Sequence, residues 1–248
     1  MHPQRATPRR TLVCALVLAL TACTSPLERR LAQTEVRLDS LAVTLTAVTN
    51  RLNGSAAPRF DSAMVTIPGA IAEGRIDAPI TIVEYTDFQC PYCARHARIT
   101  LPQLRQKYIA TGQVRYVVRA LPLSIHPNAR FAATTSLCAA EQGAEKYWAF
   151  HDTLFAHQVG MTMDTVLRAG ALAGLDRRRL ELCTVSPGIA AAVAADLAVA
   201  DRAGFTRTPA FVIGRTSSSD TLRGISFTGA FTLAVFDEQI QRVVGGSH

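Results

Sequence analysis

Aromatic residues are scarce in this sequence: Phe, Trp and Tyr make up 6% of 248 residues, and Trp occurs once. Charged residues are modest at 18%, with no long block of one sign. An apolar content of 48% excludes a disordered chain, and the composition excludes a collagen-like repeat. No array of apolar segments of about 20 residues is present, which excludes a polytopic membrane protein. Lys and Arg outnumber Asp and Glu by 26 to 19. The basic residues are scattered, almost all of them Arg, and no aromatic residues interleave them, so nucleic acid is not an expected partner. What remains is enough apolar material for a sizeable core, in one domain or two small ones. Cysteine is the informative count, at 6.

The N-terminus reads as an export address. Arg9 and Arg10 precede an apolar run at 11–20, and small residues follow. This is the charged region, short apolar region and small-residue site of a secretory signal at 1–22, and it is too short to span a bilayer. Arg5, Arg9 and Arg10 leave with it, so the mature chain is less basic than the formal +7. The end of the segment, Leu20-Thr21-Ala22-Cys23, resembles the bacterial lipobox. That resemblance implies that Cys23 is the lipidated first residue, with 23–26 as the anchor segment on the extracytoplasmic face of a membrane. The alternative is ordinary cleavage that leaves Cys23 as a free thiol, a liability in an oxidising compartment.

Past Pro26, apolar residues recur in steps of four and three. Leu31, Leu38, Leu45 and Leu52 take one seam position, and Leu27, Thr34, Leu41 and Val48 the other. The spacing predicts a parallel coiled-coil stalk over 27–53 and a homo-oligomer through it. The alternative is one amphipathic helix packed on its own globular domain, and Thr44, Thr46 and Thr49 are weak helix formers. A linker over 54–63 follows.

The globular part is expected over 64–248. Strands are predicted at 64–67, 80–85 and 114–119. The segment at 80–85 is apolar on both faces, as in a central strand covered by helices. A helix from Pro91 to about Ala110 is expected to kink or break at Pro102. An alanine-rich helical region covers about 128–203, a hairpin pairs 210–213 with 223–227, and a helix at 231–244 closes the chain. The fold class is therefore α/β, a mixed sheet with a helical insertion.

Cys90-Pro91-Tyr92-Cys93 lies where the central strand gives way to the helix. Pro91 suits the first helical position, which sets Cys90 at the N-cap, facing unpaired backbone N–H groups. Such a place favours the thiolate, the nucleophile of disulfide exchange, with Cys93 one turn on as the resolving thiol. Structural zinc is the competing reading, but it needs four ligands, and His96 on the same helix does not complete a set. A structural disulfide across so small a loop adds little stability.

Glu84-Tyr85-Thr86-Asp87-Phe88-Gln89-Cys90-Pro91-Tyr92-Cys93, with Thr208-Pro209-Ala210-Phe211 far downstream, resembles the DsbA-like branch of the thioredoxin superfamily. Pro122-Leu123 and His126-Pro127 extend the likeness. It implies a thioredoxin fold with an inserted helical domain, and a cis Pro209 beside the active-site sulfurs. It also implies that Thr208 and Pro209, with Pro91 and Tyr92 nearby, bind the substrate strand. Glu84 shares a pleat face with Ile80 and Ile82 and is expected to be buried. In the family an acid there is thought to relay protons to the second cysteine, here Cys93. Where the family often has Gly before Thr-Pro, this chain has Arg207, either a cation tuning Cys90 or choosing acidic substrates, or a solvated loop residue.

Removal of Cys14 and lipidation of Cys23 leave Cys138 and Cys183 beside the C-x-x-C. An even remainder in an oxidising compartment suggests a second, structural disulfide, and some members of the family have one in the insertion. Two separate buried thiols are the alternative. Closing a loop of about 45 residues would contribute about 4 kcal/mol in the chain-entropy model. His151 and His157 read as helix-surface or capping residues rather than ligands. The resemblance implies exchange with protein or peptide thiols, no metal or organic cofactor, and a membrane redox partner that resets Cys90 and Cys93. An isomerase or reductase remains open, as does a coiled-coil envelope lipoprotein that binds clients.

Overall fold

The computed structural model describes residues 59–67, 69 and 71–246, with Thr34 alone before them. The signal, the lipobox at Cys23 and all but Thr34 of the stalk lie outside the described residues, as does the first half of the linker, 54–58. Elements follow in the order β1 (Asp61–Thr66), β2 (Ile71–Glu73), β3 (Ile80–Thr86), α1 (91–109), β4 (Val114–Ala120), α2 (Ala129–Ala140), α3 (Ala144–Ala156), α4 (Met163–Leu172), α5 (Arg177–Thr184), α6 (Pro187–Arg202), β5 (Ala210–Arg215), β6 (Thr221–Thr228) and α7 (Leu233–Gly245). The strands form one mixed sheet in the order β1-β6-β5-β3-β4-β2. Among the described residues β3 and β4 pair in parallel; β5 pairs antiparallel with β3 and with β6, and the pairs β2–β4 and β1–β6 are antiparallel as well.

Every residue of β3 is buried, because its two pleat faces meet two different layers. Ile80 and Ile82 join Tyr116, Val118, Phe211 and Ile213 under Leu101, Leu104 and Tyr108 of α1 and Phe236 and Ile240 of α7. Val83 and Tyr85 face the other way, with Val117 and Val212, against Ala200 of α6, Leu121 and Phe205. Two-sided apolarity in the sequence thus corresponds to helices on both faces. The insertion, α2 to α6, builds a further core from Phe150, Leu154, Phe155, Val166 and Leu180, and Phe88, Cys90 and Cys93 belong to it. The C-x-x-C therefore sits where the insertion packs on α1.

Several boundaries differ from the sequence reading. The first strand begins at Asp61, inside the expected linker, because backbone pairing of Asp61 with Ser226 needs no apolar side chain. β2 has no signal in the sequence: three residues carry no readable period, and the strand exists through its pairing with β4. The expected break at Pro102 takes another form. The helix runs on through 91–109, with π-helical turns at His96–Thr100 and Arg105–Ile109. Pro102 has no N–H for the carbonyl one α-turn back and its ring crowds that carbonyl; the wider turn before it, with the Leu101 N–H on the His96 carbonyl, relieves the crowding. The closing helix starts at Leu233 rather than 231. His151, expected on a surface, is fully buried, whereas His157 is exposed and bonds the Thr153 carbonyl at the end of α3.

Cys138 of α2 and Cys183 of α5 are joined by a disulfide spanning 45 residues. A buried ion pair, Arg119 to Asp196 at 2.8 Å, ties β4 to α6, and Asp196 also accepts the Ala120 N–H at 2.9 Å. Among the described residues, no single helix is long and apolar enough to cross a membrane.

Candidate active site

The chain leaves β3 at Thr86, turns through Asp87-Phe88-Gln89 and enters α1 at Pro91 with Cys90 as the N-cap. Asp87 organises this turn. Its backbone carbonyl accepts the Cys90 N–H at 3.0 Å, and its buried carboxylate accepts the Gln89 N–H at 2.7 Å and the Leu123 N–H at 2.8 Å. His126 Nδ1 lies 2.7 Å from the same carboxylate, which draws in the loop carrying Pro122-Leu123 and His126-Pro127. From the insertion, Gln158 donates to the carbonyls of Phe88 and Cys90 at 2.7 and 2.8 Å, and the Asn128 N–H meets the Gln89 side chain. The turn is thus held from the sheet, from the loop after β4 and from the insertion at once.

Register brings the second half of the site. Tyr85 pairs with Ala210 across β3 and β5, so continuing the ladder by one step sets Pro209 beside Thr86. The Thr208–Pro209 peptide bond is cis, and the Cys90 thiol donates to the Thr208 carbonyl at 3.3 Å. Cys90 and Cys93 are free thiols, both buried. Pro91 and Tyr92 are exposed, with Arg95 lying 5.4 Å over the Tyr92 ring.

The two thiols differ in acidity. The Cys90 pKa is lowered to about 6, first by a hydrogen bond from the Cys93 thiol; burial opposes this, and the Thr208 hydroxyl and the N–H groups of Cys93 and Tyr92 add to it. The helix N-terminus therefore contributes, as the sequence suggests, but less than the neighbouring thiol. Cys93 is pushed well above the ordinary thiol range by burial, by Cys90 and by the charge of Glu84, with Thr86 acting the other way. The Asp87 N–H reaches Cys93 Sγ at 3.5 Å.

Glu84 is 1% exposed. Its Oε2 accepts the Tyr116 hydroxyl at 2.6 Å, and that hydroxyl lies 2.9 Å from His96 Nε2; Glu84 Oε1 is buried without a partner. Arg207 is exposed, and the groups that set the Cys90 pKa are thiol, hydroxyl and backbone rather than this guanidinium. Among the described residues, no cluster of three or more His, Cys, Asp or Glu side chains is placed to hold a metal ion.

Cys90, Cys93, Glu84, Thr208 and Pro209, all marked in the sequence, come together in the structure. Asp87, Tyr116, His126 and Gln158, which the structure adds to this group, have no such mark of a role in the sequence. Alternation along β4 sets Tyr116 on the core face with Val114 and Val118, and a core tyrosine hydroxyl requires a partner; that signal was present. Gln158 lies in a loop with no local signal.

The thioredoxin profile matches residues 66–226, more than half of the chain. The chain belongs to the thioredoxin family. Among solved structures of this fold it is similar to alpha-DsbA1 from Wolbachia pipientis, with 25% identity, a TM-score of 0.65, and 73% of this chain covering 94% of that one. It is also similar to a thioredoxin-like oxidoreductase from Silicibacter pomeroyi, with 30% identity, a TM-score of 0.59, and 72% of this chain covering 94% of the other. A curated relative, the Na(+)/H(+) antiporter NhaA 3 of Salinispora tropica, is 38% identical over 141 residues, which are 56% of this chain and 21% of the relative. The chain thus spans about a fifth of the length of that relative. The thioredoxin fold here carries its helices inserted between β4 and β5, as in the DsbA-type neighbours.

Proposed function

We propose that this chain is an exported thiol:disulfide oxidoreductase that exchanges disulfides with protein substrates and is held at a membrane by lipidated Cys23. The observation that carries the reading is the placement of two free, buried thiols one turn apart, with Cys90 as the N-cap of α1 and its thiol 3.3 Å from the Thr208 carbonyl; in that setting Cys90 is lowered to about 6 and Cys93 is raised. A thiolate-favouring Cys90 is the attacking or leaving sulfur of a mixed disulfide, and a buried, protonated Cys93 resolves it. At pH 7 roughly ten Cys90 thiolates stand for each thiol. A stabilised thiolate stabilises the reduced form, which makes the disulfide the stronger oxidant and favours oxidation of client thiols over reduction of client disulfides.

A client cysteine would lie beside Cys90, with its backbone along Thr208 and Pro209, flanked by exposed Tyr92. Glu84 would exchange the Cys93 proton. A membrane redox partner would return Cys90 and Cys93 to the disulfide, and no bound cofactor is required. The test is turnover of a reduced dithiol peptide by the oxidised protein beside Cys90→Ser. Loss of all turnover in the variant is expected, and equal rates in the two proteins refute the reading.

A second reading, isomerase, draws on the heptad run at 27–53. Several active sites on one stalk raise the effective concentration of thiolate at one misbonded client.

A further inference from the structure

We propose that Tyr116 and His96 are positioning residues for the resolving step, engaging one oxygen of Glu84 in a hydrogen-bonded line and leaving the other to take the Cys93 proton. This rests on the exchange activity proposed above.

The line has one proton arrangement. Tyr116 has a single hydroxyl proton, and at 2.6 Å it goes to Glu84 Oε2. The phenolic oxygen must then accept from His96 Nε2 at 2.9 Å, so Nε2 bears the hydrogen and Nδ1 is bare, consistent with the absence of a partner for buried Nδ1. Burial lowers the His96 pKa to about 4 against the pull of Glu84, so the imidazole is a neutral donor across the working range. The same helix carries Cys93 and, one turn later, His96, and β4 sets Tyr116 beside β3. Glu84 Oε1, buried and unpartnered, is the oxygen left for Cys93. The other ionisable groups around this line are Arg105 of α1, and Tyr147 and His151 of α3. Arg105 is tied to Glu73 and Asp152.

In the step, Cys90 is joined to a client sulfur. The Cys93 thiol gives its proton to Glu84 Oε1 and its sulfur attacks Cys90 Sγ. The Cys90–Cys93 bond forms, the Cys90–client bond breaks, and the electron pair leaves on the client sulfur, which takes up a proton. The client sulfur is reduced and the cysteine pair oxidised; client oxidation runs the same step backwards.

The experiment uses the reduced protein with oxidised glutathione, acid quenching and mass spectrometry from pH 5 to 9, which separates formation of the Cys90 mixed disulfide from its resolution. Tyr116→Phe keeps the ring and removes the donor that favours the charged carboxylate, so the pH midpoint of resolution should rise by about one unit and the rate at its acidic end should fall about tenfold. Formation of the mixed disulfide should be unchanged. His96→Leu should shift the profile the same way, and His96→Gln, whose amide can donate the same bond, should restore it. A wild-type profile in Tyr116→Phe, an equal slowing at every pH, or a failure of His96→Gln to restore the profile overturns the proposal while leaving exchange at Cys90 intact. Wild-type protein that forms no mixed disulfide overturns both.

Discussion

Replacing Cys93 by Ala tests what makes Cys90 acidic. The hydrogen bond from the Cys93 thiol is the largest influence lowering the Cys90 pKa to about 6. Ala removes that donor but keeps the Thr208 hydroxyl, the backbone N–H groups and the burial. A hydrogen bond to a charged group contributes about 1.5–3 kcal/mol, or about 1–2 pKa units. The Cys90 midpoint should therefore climb to about 7–8. At pH 6 the thiolate fraction would fall from about one half to between about 1% and 10%. Cys93→Ser supplies a hydroxyl donor at the same place and should hold the midpoint near 6. The assay is the pH dependence of thiolate absorbance at 240 nm, checked by the rate of alkylation with iodoacetamide. A midpoint still near 6 in Cys93→Ala would mean that the helix N-terminus and Thr208 suffice. Equal midpoints for Ala and Ser above 7 would mean that a donor at position 93 does not act through a hydrogen bond.

The same acidity sets the redox behaviour with pH. Below about pH 6 reduction of the Cys90–Cys93 disulfide takes up two protons, and above it one, until the much higher Cys93 pKa. The reduction potential, measured against glutathione, should fall by about 59 mV per pH unit below the break and about 30 mV above it; a single slope through pH 6 contradicts the assignment. Replacing Cys138 and Cys183 together by Ala should lower stability by up to about 4 kcal/mol in denaturant unfolding while leaving alkylation of Cys90 unchanged; unaltered stability would show that the bond constrains nothing. Cys23→Ser should move the chain from membrane to soluble fraction with its redox activity kept, and a mature N-terminus other than Cys23, read by mass spectrometry, refutes the anchor. Deleting 27–53 from that soluble form should convert an oligomer to a monomer by light scattering, and an intact form that is already monomeric refutes the stalk.

Local chemistry in the sequence determined a good deal. A β-branched run at 80–85, apolar on both faces, can only be a covered strand, and Pro91 after Cys90 marks a helix start. Cys-Pro-Tyr-Cys and Thr-Pro, through their likeness to a known family, pointed to the fold, the insertion and the reactive cysteine. Period-two alternation placed Glu84 in the core. These are signals carried within one element or one motif. What only the tertiary structure decided depends on contacts between distant elements. Thr208 meets Cys90 because β5 lies antiparallel to β3 in one register. The Cys90 pKa owes more to the Cys93 thiol than to the helix end because both sulfurs are buried together under the insertion. Tyr116 and His96 share a line to Glu84 because a parallel β4 and the first turns of α1 converge behind Cys93. Gln158 clamps the turn before Cys90 from a loop that no spacing distinguishes. Backbone pairing decided β2 and the early start of β1, since hydrogen bonds between main chains require nothing of the side chains a sequence displays.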